Sequence, residues 1–404
     1  MRVLIVSWEF PPVVVGGLGR HVGELAPALA ALGHDVRVLT RGRDRQPSIE
    51  QLAGVTVYRA AADGLDIDLA SESVLAWAQA FEHSLVRAGL TALDGWQPQL
   101  IHAHDWLVGQ TAVTLHQVSG APLVLTMHAT EHGRRQGWLA EPVARAIHSV
   151  ERWLCGQATL VIACSAFMAG ELRMLYGLPA DRLRVIGNGV RLPEPEPAVS
   201  EPAVGEPAWT AEWPAGSGPV IAFAGRLVHE KGVQELIKAL PLLRPEFPGL
   251  RAVIAGTGEQ LAAQRDRAER YRVAELISWP GFLDQAGLHR LFRSADVVVV
   301  PSVYEPFGLV ALEAQLAGTP VAVADTGGLA ELVEPGATGV RFDCQDPAAL
   351  AAAVAGLLRD PAGAARMAAT AQQRARTGFS WDEVARQTAA VYQAALAGQS
   401  IPLP

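Results

Sequence analysis

Short apolar runs of five to seven residues alternate with helix-period segments along most of the chain, the pattern of parallel α/β sheets. In the first half the runs are RVLIVS (2–7), DVRVLT (35–40), VTVYRA (55–60), LIHAH (100–104), PLVLTMH (122–128), TLVIAC (159–164) and LRVIGN (183–188). Between the first two, LGRHVGELAPALAALGH sets Val22, Leu25, Leu29 and Leu32 on one stripe, and Gly33 supplies the stop. The alternation breaks over 192–219, where Pro, Glu, Gly and Ala dominate without any period, the composition of an extended, partly stiff linker. It restarts with VIAFAG (220–225), LRAVIAG (250–256), LISWPG (276–281), DVVVVP (296–301), PVAVAD (320–325) and GVRFD (339–343). The pattern predicts an α/β protein with two doubly wound domains, residues 1–191 and 219–379, joined by a Pro-rich linker over 192–218. A ligand is expected in a central cleft that the two domains face. A final amphipathic helix, SWDEVARQTAAVYQAAL (380–396), starts at a Ser380 or Asp382 cap and suits either domain.

Composition narrows the function classes. A net charge of −8 and a pI near 5.8 argue against nucleic acid as a partner, since such binders carry a basic face. Cys155, Cys164 and Cys344 show neither metal-ligand spacing nor an even disulfide framework, and Cys164, closing an apolar run, reads as a buried thiol. The apolar start MRVLIVSWEF is interrupted too soon for a signal peptide, and no run approaches the length of a transmembrane segment. The expected setting is the cytoplasm.

The chemistry concentrates in GRLVHEKG (225–232) and YEPFGLVALEA (304–314). Each begins where an apolar strand ends, the place where open α/β sheets put their ligands. Arg226 and Lys231 suit a diphosphate and Glu305 and Glu313 suit hydroxyls, together a sugar nucleotide. Among 33 basic residues only Lys231 and Lys238 are lysines, so a compact ammonium six residues after a strand stands out. The plainer reading of Lys231 is a solvated helix face with Glu230 and Glu235 as partners. A helix starting near Phe307 would put Glu313 on its second turn and Glu305 just before it. Gly308, Leu309 and Val310 would then turn unpaired N–H groups toward an anion.

In the first half, EFPPVVVGGLGRHV (9–22) runs paired glycines, Gly16 and Gly17, into a helix. Such a loop lets backbone N–H groups approach a phosphate or sugar, or is an ordinary turn with both glycines at positive φ. The dinucleotide fingerprint fails, because Val22 stands where the last glycine belongs. His102, His104, His128 and His132 cluster near strand ends. They read as sugar-hydroxyl donors or core histidines, without the spacing of a metalloprotease zinc motif. Asp66 and Asp68 form a D-x-D pair that also reads as a solvated acidic loop. Thr326, Gly327 and Gly328 make a further glycine loop at a strand end, either a backbone contact or a tight turn.

Together these motifs resemble the retaining glycosyltransferases of family 4 and the neighbouring glycogen and starch synthases. The resemblance runs from MRVLIVSWEFPPVVVGGLGRHV through HAHDW, GRLVHEKG and EPFGLVALEA to TGGLAE, and HATEHGR looks most like actinobacterial α-1,4-glucosyltransferases. It implies a GT-B fold of two Rossmann-like domains, with the helix 380–397 packing back on the first. It implies diphosphate contacts at Arg226 and Lys231, the sugar 3-hydroxyl at Glu305, ribose at Glu313 and the glucose 6-hydroxyl at His128. Phe307, Gly308, Leu309 and Val310 fall in the donor loop, the Gly16–Gly17 loop closes over the donor, and Asp105 and Trp106 match acceptor-side residues. Two positions depart from the bacterial glycogen synthases: Val14 replaces a lysine before the paired glycines, and Phe307 replaces a cysteine.

The implied reaction moves α-glucose, with retention, from UDP-glucose or ADP-glucose to the 4-hydroxyl of an α-glucan, with no cofactor and no metal requirement. A front-face route fits, since no residue here can be assigned as a carboxylate nucleophile beneath the anomeric carbon. Rival readings are a mannose donor, a glucose 1-phosphate or lipid acceptor, or a silent sugar-nucleotide-binding protein. A phosphorylase would need a lysine for pyridoxal phosphate, and Lys231 is already placed at the phosphates.

Overall fold

Both series of apolar runs become sheets in the computed structural model, which describes residues 1–14, 16–62, 67, 73–191 and 218–398. Two compact units result. The first runs from Met1 to Gly189 and takes in the C-terminal helix Trp381–Ala397, and the second runs from Val190 to Ser380. The crossing points lie at Gly189 and Ser380 rather than at 191 and 379. Val190 belongs to the second unit because its N–H donates to the Phe379 carbonyl at 2.7 Å and it bridges Ser380. The linker 192–218 falls, except for Gly218, outside the described residues, as do Asp66 and Asp68.

The first sheet contains β1 (Arg2–Val6), β2 (Asp35–Arg41), β3 (Ser48–Leu52), β4 (Val55–Ala60), β5 (Leu100–His104), β6 (Leu123–Met127), β7 (Leu160–Ala163) and β8 (Leu183–Val185). Their order is β3-β4-β2-β1-β5-β6-β7-β8. All neighbours are parallel except β3 and β4. Parallel strands covered by helices on both faces are near-continuous apolar runs, and β5 and β6 are buried at every residue, the β5 histidines included. The sequence pattern missed β3 because SIEQL is exposed at every position and so shows no buried face. Its hairpin turns through Ala53 and Gly54, at φ 50° and 79°, the conformation of a type I′ turn without the usual Asn-Gly signature.

The second sheet contains β9 (Val220–Ala224), β10 (Arg251–Ala255), β11 (Ile277–Gly281), β12 (Val297–Val300), β13 (Val321–Ala324) and β14 (Val340–Phe342). Its order is β11-β10-β9-β12-β13-β14, parallel throughout. In each sheet the chain winds outward from a central strand and then restarts on its other side. The reversal falls between β1 and β5 in the first sheet and between β9 and β12 in the second. At such switch points adjacent loops diverge and leave a crevice beyond the strand ends. Among the described residues no helix is long and apolar enough to cross a membrane.

The C-terminal helix completes the first core. Val384, Ala385, Val391, Tyr392, Ala394 and Ala395 join Val3, Ile5, Val22 and Leu25 in one buried cluster. Tyr392 is fully buried and its hydroxyl is hydrogen-bonded to His102 Nδ1 at 2.7 Å, while His102 Nε2 meets the Thr126 hydroxyl at 2.7 Å. Helix and sheet are therefore tied by a polar link inside an apolar contact. Tyr392→Phe leaves His102 Nδ1 without this partner and should cost about 1–3 kcal/mol. A thermal or urea unfolding midpoint equal to that of the parent protein would show that the link contributes nothing.

Candidate active site

In the second unit the loops after β9 and β12 meet at the switch point. His229–Lys231 form a single 3-10 turn, Gly232 follows at φ 69°, and the α-helix begins only at Val233. The solvated helix face considered for Lys231 is thus a short turn set off from the helix, because Gly232 must pass the neighbouring loop. A Cβ there would stand 1.8 Å from the Pro301 carbonyl oxygen. The loops are also stitched by backbone bonds. Val303 N–H donates to the Glu230 carbonyl at 2.8 Å, and Gly328 N–H donates to the Glu305 carbonyl at 2.8 Å.

This frame brings Lys231 to Glu305. Lys231 Nζ donates to Glu305 Oε2 at 2.7 Å across 74 residues of sequence, and the buried Ser302 hydroxyl donates to the same oxygen at 3.2 Å. The local partners considered for Lys231 are engaged elsewhere. Glu230 accepts from Arg226 Nη2 at 3.0 Å, and Glu235 accepts from Lys238 Nζ at 2.9 Å. Arg226 is half-exposed on the same loop. Glu305 ends the loop that leads into the helix Leu309–Ala317, whose N-cap is Gly308. Glu313 lies on the second turn of that helix and accepts from Gln285 Nε2 at 3.3 Å. The first-turn amides of Leu309 and Val310 have no earlier carbonyl within the helix. Phe307 is buried, its ring 6.2 Å from that of Phe379. The arrangement offers an ammonium, a guanidinium and a helix N-terminus to an anion, and a carboxylate to hydroxyls.

In the first unit the switch point carries histidines. His104 ends β5, His128 follows β6, and His104 Nδ1 lies 3.1 Å from His128 Nε2. His21, on the helix Gly17–Ala31, packs its ring centroid 4.8 Å from that of His128 and meets Asn188 Oδ1 through Nδ1 at 2.8 Å. Burial is the main cause that holds all three rings below the usual histidine range. It brings His128 to about 3, with help from the Arg134 charge. They are neutral at pH 7. The sequence pattern missed His21 and Asn188. The available signal was a polar residue beside Leu18, Val22 and Leu25 on a buried stripe.

Gly16 and Gly17 do open that helix, but Gly16 is extended at φ −155°, so the positive-φ turn does not form. Its N–H donates to Glu9 Oε2 at 2.9 Å, which organises the loop from within. Asp105 adopts φ 58°, ψ 179°, and its Oδ1 accepts from the His128 N–H at 2.7 Å. Trp106, expected to face an acceptor, is instead 6% exposed and packs in a cluster with Ala78, Leu107 and Ile147. The short turn Trp106–Val108 directs the ring inward. Cys155 and Cys164 are buried free thiols and Cys344 is half-buried.

Burial raises the Asp105 carboxyl to about 6, against opposing pulls from Arg134 and the N–H groups of His128 and Ala129. A raised carboxyl binds its proton more tightly folded than unfolded, so its contribution to stability declines as pH rises from about 4 to about 6. Asp105→Asn removes that titration. The variant should gain stability relative to the parent across this window and keep a constant offset above it. Melting temperatures at pH 5 and pH 7.5 that shift in parallel for the two proteins would refute this.

Comparison with known proteins follows the same division. The family model for group 1 glycosyl transferases matches residues 208–374, and that for glycosyltransferase family 4 matches residues 15–193. The chain is 44% identical over 421 aligned residues to a glycogen synthase of Mycobacterium tuberculosis, covering 100% of this chain and 97% of that protein. It is 34% identical to a D-inositol 3-phosphate glycosyltransferase of Streptomyces avermitilis, over 94% of this chain and 83% of that protein. Among solved structures, a sucrose-phosphate synthase from Thermosynechococcus elongatus superposes with a TM-score of 0.81 at 28% identity, covering 98% of this chain and 100% of the other.

Proposed function

The chain belongs to the family 4 glycosyltransferases, with the two-sheet GT-B fold, and we propose that it transfers α-glucose with retention from UDP-glucose or ADP-glucose to the non-reducing 4-hydroxyl of an α-1,4-glucan, in the cytoplasm. The observation that carries this reading is the meeting of Lys231 and Glu305 at the switch point of the second sheet, in a chain similar along its whole length to a glycogen synthase.

An ammonium has three donors. Lys231 can therefore keep one bond to Glu305 and still reach a diphosphate oxygen. Arg226, half-exposed and paired with Glu230 four residues away, can add a second cation with little loss. Negative charge grows on the diphosphate as the glycosidic bond breaks, and both cations stabilise it in that state more than in the ground state. Glu305 takes the sugar 3-hydroxyl, Glu313 the ribose, and neutral His128 the 6-hydroxyl. Gly16, Gly17, Phe307, Gly308, Leu309 and Val310 line the donor, while Asp105 belongs to the acceptor side. The departing diphosphate oxygen accepts the proton of the incoming hydroxyl. With the counter-charge supplied by side chains, transfer needs no metal and continues in EDTA.

The relative named for D-inositol 3-phosphate transfer favours one second reading, a phosphorylated polyol in place of the glucan. UDP-glucose and ADP-glucose, each offered maltooligosaccharide, inositol phosphate or no acceptor in EDTA, separate the two. Elongation by single glucose units supports the glucan, and product formed only on inositol phosphate overturns it. Lys231→Ala should lower kcat about 10²–10³-fold, as for loss of one transition-state charge contact. Parental turnover in that variant would remove Lys231 from the mechanism.

A further inference from the structure

We propose that His21, His104 and His128 form a binding site for a divalent transition-metal ion of the zinc class. One ring nitrogen from each lies within 4.8 Å of the others, and His104 Nδ1 and His128 Nε2 are already 3.1 Å apart. Zinc–nitrogen bonds of about 2.0–2.1 Å in tetrahedral geometry place ligand nitrogens roughly 3.4 Å apart. Closure therefore asks only for side-chain movement of roughly an ångström at the widest pair.

The proton arrangement favours metal. Asn188 Oδ1 accepts from His21 Nδ1 at 2.8 Å, which leaves the His21 Nε2 lone pair bare. That Nε2 is buried and, among the described residues, without a hydrogen-bond partner. Buried nitrogens without partners are uncommon in folded proteins. An oxygen fixing one imidazole nitrogen while the other faces inward is the usual support of a histidine ligand. The rings are neutral, as ligation requires. Where His104 and His128 share a proton, ligation moves it to the outer nitrogen of the same ring, so no net proton leaves. Three imidazoles suit zinc, cobalt, nickel or copper, whereas magnesium and manganese prefer oxygen. His128 is half-buried, which leaves a fourth position open to water.

Occupancy takes His128 from the sugar, so zinc should suppress transfer. This consequence rests on the proposed function, whereas metal binding does not. The test uses chelator-treated full-length protein titrated with Co²⁺. The expected result is one equivalent with the intense visible bands of four-coordinate cobalt, displaced by Zn²⁺ and unaffected by excess Mg²⁺. His128→Gln should abolish the bands, and Asn188→Ala, which only unfixes His21, should weaken cobalt binding about 10–100-fold. Absence of bands in the parent protein, or equal affinity in both variants with melting temperature retained, overturns the site. Stoichiometric cobalt without loss of transfer keeps the site and overturns the sugar role of His128.

Discussion

At the switch point of the second sheet two backbones run closer than any side chain allows, Gly232 against the carbonyl of Pro301. The charged site depends on that approach. With Val303 bonded to the Glu230 carbonyl and Gly328 to the Glu305 carbonyl, three strand-end loops form one rigid rim. Lys231 and Glu305 are then held at 2.7 Å by main-chain geometry, not by the search of two flexible side chains. An exposed ion pair gives little stability because ordering such side chains offsets the Coulomb gain. Here the backbone has already supplied most of that order, and the pair is preorganised for a ligand that replaces part of it.

The two units carry opposite electrostatic designs. The second presents charges that remain partly hydrated, Arg226 most of all. The first buries neutral imidazoles, with His128 held near 3 by burial and by Arg134. The proposed function gives each design its own use in glycosyl transfer. Charge separates as the bond breaks, negative on the diphosphate and positive on an oxocarbenium-like sugar. Cations at the phosphates favour this separation. A cationic imidazole at the sugar would oppose it, whereas a neutral one orients a hydroxyl without adding positive charge.

The architecture was legible because parallel strands buried on both faces are near-continuous apolar runs, and helices between them must repeat near 3.6 residues. The edge strand β3 lacked that signal because SIEQL has no buried face. The Lys231 and Glu305 motifs were legible because each follows an apolar run within a few residues, yet their pairing was set by the order β9-β12, which sequence spacing does not encode. Arg226 and Glu313 found partners at Glu230 and Gln285, the first on the turn His229–Lys231 and the second at the start of the helix Gln285–Ser294. His21 escaped notice for the same reason. Its ring neighbours lie on β5 and after β6, and only the sheet brings them beside the first helix.

Asp105 shows how the histidine side is held. Its backbone, at φ 58° and ψ 179°, lies in a region that costs roughly 1–3 kcal/mol for a residue other than glycine. Its carboxylate is buried, a second cost. Against both stand the N–H of His128 at 2.7 Å and the Arg134 guanidinium at 3.9 Å. These contacts hold the segment that follows β6, and with it the His128 ring against His104. The strained residue therefore acts by positioning its neighbour, while Trp106 beside it secures the same turn by packing inward. The position of the histidine is thus fixed by the backbone around it and not by its own side-chain freedom.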